Sequence, residues 1–413
     1  MLEYVDQVHA ALISPGAFKF WIIPFIAGFV GWGTNWLAIQ LTFHPVEFVG
    51  IPPFLGWQGI IPSKVEKMAN IVVDKTINRL GTLSELFKEM EPEKIALHIT
   101  EVSMSRIEEY TDDVMTEKNA VLWENLPNIL KQRVYSRARK QIPVVMDNLI
   151  QDMSENIEDL VDIKHMIITQ MSSDKELLNR VFKEVGEREF KFVINSGFVF
   201  GFLFGIIQMV VWILYPQAWV LPAFGFFVGY ATNWLALNLI FRPLNPVKFG
   251  PWIIQGLFLK RQKQVAEVFC HIVTREVLTL KHLMHAMLNG PKKERAKALI
   301  TKHIKPIIEG GVVKMAAQLT VGPSGYMHLK KSIEAKAITL STEPLDDPVF
   351  NEERAGLVAQ LFQERMENLA PNEFQDLLRP AFEEDEWILI MVGATLGLIA
   401  GIAQLFLMFS SAI

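Results

Sequence analysis

At 413 residues, half of them hydrophobic and 21% charged, with a mean hydropathy of +0.24, the chain is more apolar than an ordinary soluble protein yet too charged to lie wholly in lipid. Its net charge of -5 excludes a bulk attraction to nucleic acid, and its single cysteine, Cys270, excludes an intrachain disulfide framework and a cysteine-rich zinc site. What remains is a membrane-anchored chain with helical parts outside the bilayer.

Residues 1–17 read as a short outer segment rather than a cleavable signal: Glu3 and Asp6 stand where basic residues are required, and the apolar run that follows is too long. That run, 18–43, is the first of four expected spans, a bilayer requiring about 20 apolar residues. It ends in GWGTNWLAIQLTFHP (31–45). The third span repeats this as GYATNWLALNLIFRP (229–243), so that Thr34, Asn35, Trp36 and Pro45 match Thr232, Asn233, Trp234 and Pro243 at one offset of 198. Chance does not produce such a match.

Residues 44–190 form the first expected helical domain. Its link to the span, HPVEFVGIPPFLGWQGIIPSK, carries Phe48, Phe54 and Trp57, which suit either the headgroup level or an ordinary surface connection. Thr82 and Glu85 make a capping box. Leu126, Leu130, Val134, Ala138, Ile142, Val145, Leu149, Met153 and Ile157 then recur at helical spacing, with Pro143 as the expected kink. Charge along this helix is polarised. Lys131, Arg133, Arg137, Arg139 and Lys140 come first, and Asp147, Asp152, Glu155, Glu158 and Asp159 follow. The basic half suits a solvated bundle face or an anionic lipid surface.

The second and third spans, 193–214 and 217–241, form a tight hairpin about Tyr215 to Gln217. Residues 242–386 form the second domain, opening on RPLNPVKFGPWIIQGLFLKR with Trp252. Thr279, Leu280, Leu283 and Met287 match Thr82, Leu83, Leu86 and Met90 at an offset of 197, and Lys292, Lys293, Arg295, Lys297, Lys302 and Lys305 make a second basic cluster. VGPSG (321–325) and STEPLDDP (341–348) are irregular, LLRPAFEEDE (377–386) is a charge run, and no strand of any length is expected. The fourth span, 387–410, places Gly393, Gly397, Gly401 and Gln404 against Gly197, Gly201, Gly205 and Gln208 of the second at an offset of 196. Glycines four apart let helices approach closely in lipid.

The fold class that follows is all-α: a polytopic membrane protein of four transmembrane helices in two parallel repeats, each with a helical cytoplasmic segment. Arg188, Lys191, Arg242, Lys248, Lys260 and Arg261 flank the long segments against only Lys19 on the other side, which places those segments in the cytoplasm and the termini outside. Asn35 and Gly201 lie at matching depth, roughly 12 Å from the cytoplasmic edge. The TNWLA spans should therefore pack on the glycine faces, amide and hydroxyl directed at the neighbouring helix.

No P-loop, G-x-S-x-G, H-E-x-x-H or cysteine pair is present, so no catalytic residue, metal site or cofactor is expected. His282 and His285, at a spacing that could share a metal, align with Glu85 and Lys88 of the first copy and read as helix surface; Cys270 aligns with Val73 and reads as a small buried side chain. The candidate residues are intramembrane and neutral: Thr34, Asn35, Gln40, Gln208, Thr232, Asn233, Asn238 and Gln404. They serve either as interhelical glue or as the lining of a path.

The doubled TNWLA with F-x-P, the Q-G-x4-[KR] links and LLRPAFEEDEW running into the glycine pattern resemble, over essentially the whole chain, the YheB/YjiN-like family of uncharacterised bacterial membrane proteins. The resemblance implies a multi-span protein of the bacterial inner membrane with a helical soluble region, and carries no functional residues. The expectation is a non-enzymatic scaffold in the lipid bilayer. Its helical segments would engage a protein partner, a second copy of the chain or, through the basic clusters, anionic lipid. The rival is a transporter or channel with a polar path between the repeats.

Overall fold

A computed structural model describes residues 13, 17–51, 55–308, 342–383 and 386–408. Phe54, VGPSG, Ser341 of STEPLDDP, Glu384 and Asp385 of the charge run, nearly all of 1–17 and the Trp252 side chain lie outside the described residues.

The chain is an all-α membrane protein with four membrane-spanning helices: α1 (Phe18–Phe43), α2 (Glu187–Leu214), α3 (Val220–Phe241) and α4 (Glu386–Met408). Apolar side chains fill each one, and the internal Pro24 of α1 is tolerated as in other transmembrane helices. Helix α2 starts six residues before the expected span at 193, because Glu187–Phe190 already continues the turn. Helix α3 starts at Val220 rather than 217. Trp21, Phe25, Phe29, Trp36, Phe227 and Trp234 stay exposed on the outer faces, where the bilayer covers them.

Helices α1 and α3 stop alike. His44 and Arg242 turn extended (φ -131° and -130°), and each is followed by a cis-proline, Pro45 and Pro243. Short strands come next, contrary to the strand-free expectation. Strands β1 (Val49–Ile51) and β2 (Leu55–Trp57) pair antiparallel, as do β3 (Val247–Phe249) and β4 (Trp252–Ile254). Three-residue strands are too short to leave a period-two pattern in sequence. Gly250 closes the second hairpin at φ +62°. Each link folds back on itself: Gly59 N–H donates to Pro45 O and Gly256 N–H to Pro243 O, both at 2.9 Å.

The boundaries 44–190 and 242–386 do not enclose separate compact units. One unit holds the described residues of 1–76, 171–269 and 366–413, the other 77–170 and 270–365, so both long segments contribute to each. The physical reason lies in complementary charge and apolar faces within the second unit. Its long helix Asn128–Leu160 buries Val134, Ala138, Val145, Leu149, Met153 and Ile157 as expected, although its dihedrals break at Asn156 (φ -119°). Its acidic end meets the expected basic cluster. Lys302 and His303 reach Asp152 at 2.8 and 2.7 Å, Arg295 reaches Asp159 at 3.1 Å, and Lys292 donates to the Glu158 carbonyl. Arg139 of the basic end likewise pairs with Glu108. Buried Arg354 is held by Glu91 and Glu353, and His98 stacks on Phe350 at 4.0 Å. The Thr82–Glu85 capping box forms as the sequence indicates.

Candidate functional site

The feature common to both span pairs is backbone proximity. On α1 and α2, a Cβ at Gly197 or Gly31 would fall on the other's carbonyl oxygen, one at Gly201 on Ala27 O, and one at Gly205 within 2.6 Å of Pro24 Cα. On α3 and α4, Gly393 meets Gly229, Gly397 meets Gly225, and Gly401 meets Leu221 and Pro222 in the same way. Only glycine permits this approach, which supplies dispersion contact where lipid removes the hydrophobic drive.

That proximity brings each asparagine within reach of the facing main chain. Asn35 Nδ2 donates to Val193 O at 2.7 Å, and Asn233 Nδ2 to Leu389 O at 2.7 Å. The accepting carbonyls use the second lone pair that a helical C=O retains. Asn35 is 0% exposed and Asn233 3%. Each bond contributes about 0.6 to 2 kcal/mol. The Oδ1 atoms of both residues have no hydrogen-bond partner.

The remaining intramembrane candidates do not join that contact. The hydroxyls of Thr34 and Thr232, expected on the neighbouring helix, donate within their own helices to Gly31 O (3.1 Å) and Gly229 O (3.3 Å). A hydroxyl on a helix reaches its own preceding turn more readily than a neighbour. Gln40 and Asn238 are only half-buried, and Asn238 donates to Trp234 O of its own helix. Gln208 and Gln404 are buried, Gln404 with an unpartnered Nε2.

One polar pair escaped sequence reasoning. Glu189 is 3% exposed and accepts from the Arg261 Nη1 at 2.7 and 2.9 Å, whereas by sequence alone Arg261 is a flanking positive charge. Glu189 borders a small cavity of about 30 Å3 walled by Phe182, Phe190, Phe241 and Phe258. The available signal was its position four residues before Val193, on the same helix face.

The helix ends differ. At the end of α1, Lys183 Nζ donates to His44 Nε2 at 2.6 Å and lies 5.3 Å above the Phe43 ring, while Asn179 Nδ2 donates to Phe43 O at 2.8 Å. Burial, and then the neighbouring Lys183 charge, lower the His44 pKa, so the ring is neutral and accepts. At the end of α3, Arg242, Arg379 and Gln375 line an open cleft of about 480 Å3. In the second unit, His282 is half-buried with Nδ1 3.2 Å from Val277 O, His285 is exposed, and Cys270 is buried.

No family model matches the chain, and no solved structure matches it. It is 30% identical over 112 residues to a UPF0754 membrane protein of Synechococcus elongatus and, equally, to a UPF0754 membrane protein of a second Synechococcus strain. These matches cover 24% of this chain and 27% of each relative, so the chain spans about a quarter of the length of the curated relatives it matches. Their names describe membrane proteins and state no activity.

Proposed function

We propose that the chain is a non-enzymatic scaffold of the bacterial inner membrane. Two parallel copies of a span–segment–span unit, closed by glycine zippers and amphipathic helices, would hold a helical body on the cytoplasmic side. That body would engage a protein partner, a second copy of the chain or an anionic lipid surface. The observation that carries this reading is that the Asn35 and Asn233 amide donors are both committed to the backbone of the paired span, which is the behaviour of packing groups. Positive flanks supply the orientation, and the YheB/YjiN-like resemblance supplies the setting. The full chain in nanodiscs, used as bait against solubilised bacterial membranes and sized by light scattering, should capture a reproducible partner or self-associate. Neither outcome, together with no preference for anionic over neutral vesicles, would overturn the proposal.

The unpartnered Oδ1 atoms of Asn35 and Asn233 favour a second reading, a polar path between the two span pairs. Proteoliposomes should then pass a small polar or cationic solute faster than empty vesicles, and Asn35→Leu with Asn233→Leu should abolish the difference. Flux equal to that of empty vesicles removes this reading.

A further inference from the structure

The cleft at the C-terminal end of α3 has an arrangement that neither packing nor a path requires. Leu235 and Leu239 form its apolar wall, Arg242, Arg379 and Gln375 its polar end, and Asn238 lies between them. Leu235 precedes Arg242 by seven residues, roughly 10 Å along the helix axis. The wall therefore runs into the hydrocarbon while the guanidinium stands at the rim. That gradient matches a phospholipid from upper acyl chain to phosphate.

We infer that this cleft binds one anionic phospholipid, its phosphate held by Arg242 and Arg379 and an acyl chain laid along Leu235 and Leu239. Planar guanidinium groups suit a phosphate diester because each can donate two parallel N–H bonds. Basic pockets at the ends of transmembrane helices are the expected place for such headgroups. Arg242 forms no ion pair among the described residues, so its charge is available. Gln375 supplies the finer selection. The residue lines the cleft, is 4% exposed, and its buried Oε1 has no hydrogen-bond partner. A buried acceptor of this kind requires a donor. The glycerol headgroup of phosphatidylglycerol carries hydroxyls that donate, whereas choline has none.

At the corresponding end of α1 the basic and amide groups are already engaged. At the matching positions stand Gln40, His44, Asn179 and Lys183, at offsets of 198 for the first two and 196 for the others. There Lys183 is bound to His44 and laid over Phe43, and Asn179 donates to the Phe43 carbonyl. The stoichiometry is therefore one lipid per chain. This inference requires the membrane reading alone and stands whether or not a protein partner exists.

The test is native mass spectrometry of the delipidated full-length protein with added palmitoyl-oleoyl phosphatidylglycerol or phosphatidylcholine. One phosphatidylglycerol should bind per chain about tenfold more tightly than phosphatidylcholine, and Arg242→Gln with Arg379→Gln should remove that preference. Arg242→His with Arg379→Lys should act the same way; it installs residues that the end of α1 already accommodates, and decides the matter if the glutamine variant fails to fold. Lys183→Gln should leave phosphatidylglycerol binding unchanged. Equal binding of both lipids, or an unaltered preference in the folded double variants, overturns the site. Glycerophosphoglycerol and inorganic phosphate should not compete. Displacement by either at concentrations comparable to the lipid would assign the cleft to a soluble phosphate and overturn the lipid.

Discussion

The ends of α1 and α3 grow from nearly the same sequence and finish in different chemistry. Both helices stop at an extended residue before proline, both links fold back through a glycine N–H at 2.9 Å, and both asparagines donate at 2.7 Å to the paired span. Yet one end ties a neutral histidine to a lysine, and the other lines an open cleft with two arginines. The shared part consists of main-chain groups and glycines in close contact, where no side chain can be added. The divergent part is half-exposed, where one side chain can replace another at little cost in packing. A repeated sequence thus transmits a frame, and the charge set upon it varies independently.

The strongest way to break the comparison is to refill the close contacts. Gly197→Leu and Gly393→Leu should each destabilise the span core by about 3 kcal/mol or more, since the added side chain meets the facing glycine's backbone oxygen and the asparagine amide already hydrogen-bonded across the pair. Thermal unfolding in detergent with size-exclusion chromatography measures this. A variant that retains wild-type stability in one pair but not the other would separate the two frames.

Replacing the amides probes the same frame more gently. Asn35→Leu and Asn233→Leu should each lower stability by about 1 kcal/mol, with equal losses because each removes one bond of the same length while also relieving an unpartnered Oδ1. Chemical denaturation of the two variants checks it; losses differing by more than about twofold would show that the pairs are energetically unlike.

The smallest effect sharpens the difference between the ends. The folded state lowers the pKa of His44 from 6.5, so folding favours its neutral form, and the associated stability is present above that value and lost as pH falls through the lowered one. Between pH 7 and pH 5 the wild type should lose stability that His44→Gln retains, whereas Arg242→Gln should not alter the pH slope. His282, whose pKa burial also lowers, titrates in the same direction and remains in both proteins, so the difference reports His44.

The expected asparagines and glycines converge, since helical period and matching depth place them on facing stripes. Thr34 and Thr232 do not reach a neighbour, because sequence shows a hydroxyl without showing whether its own turn or the next helix accepts it. Glu189 was hidden for a related reason: it lies outside the apolar window that defines a span, and its partner Arg261 is 72 residues away.

By itself the sequence determined four spans, their all-α class and the small and polar stripes that they carry, because these follow from apolar length and a 3.6-residue period. Tertiary structure decided that Asn35 and Val193, 158 residues apart, share a bond, that acidic 152–159 meets basic 292–303, and that Gln375 and Arg379 come beside Arg242. Such meetings depend on which faces exclude lipid or water together. Local periodicity specifies a face; only packing selects its partner.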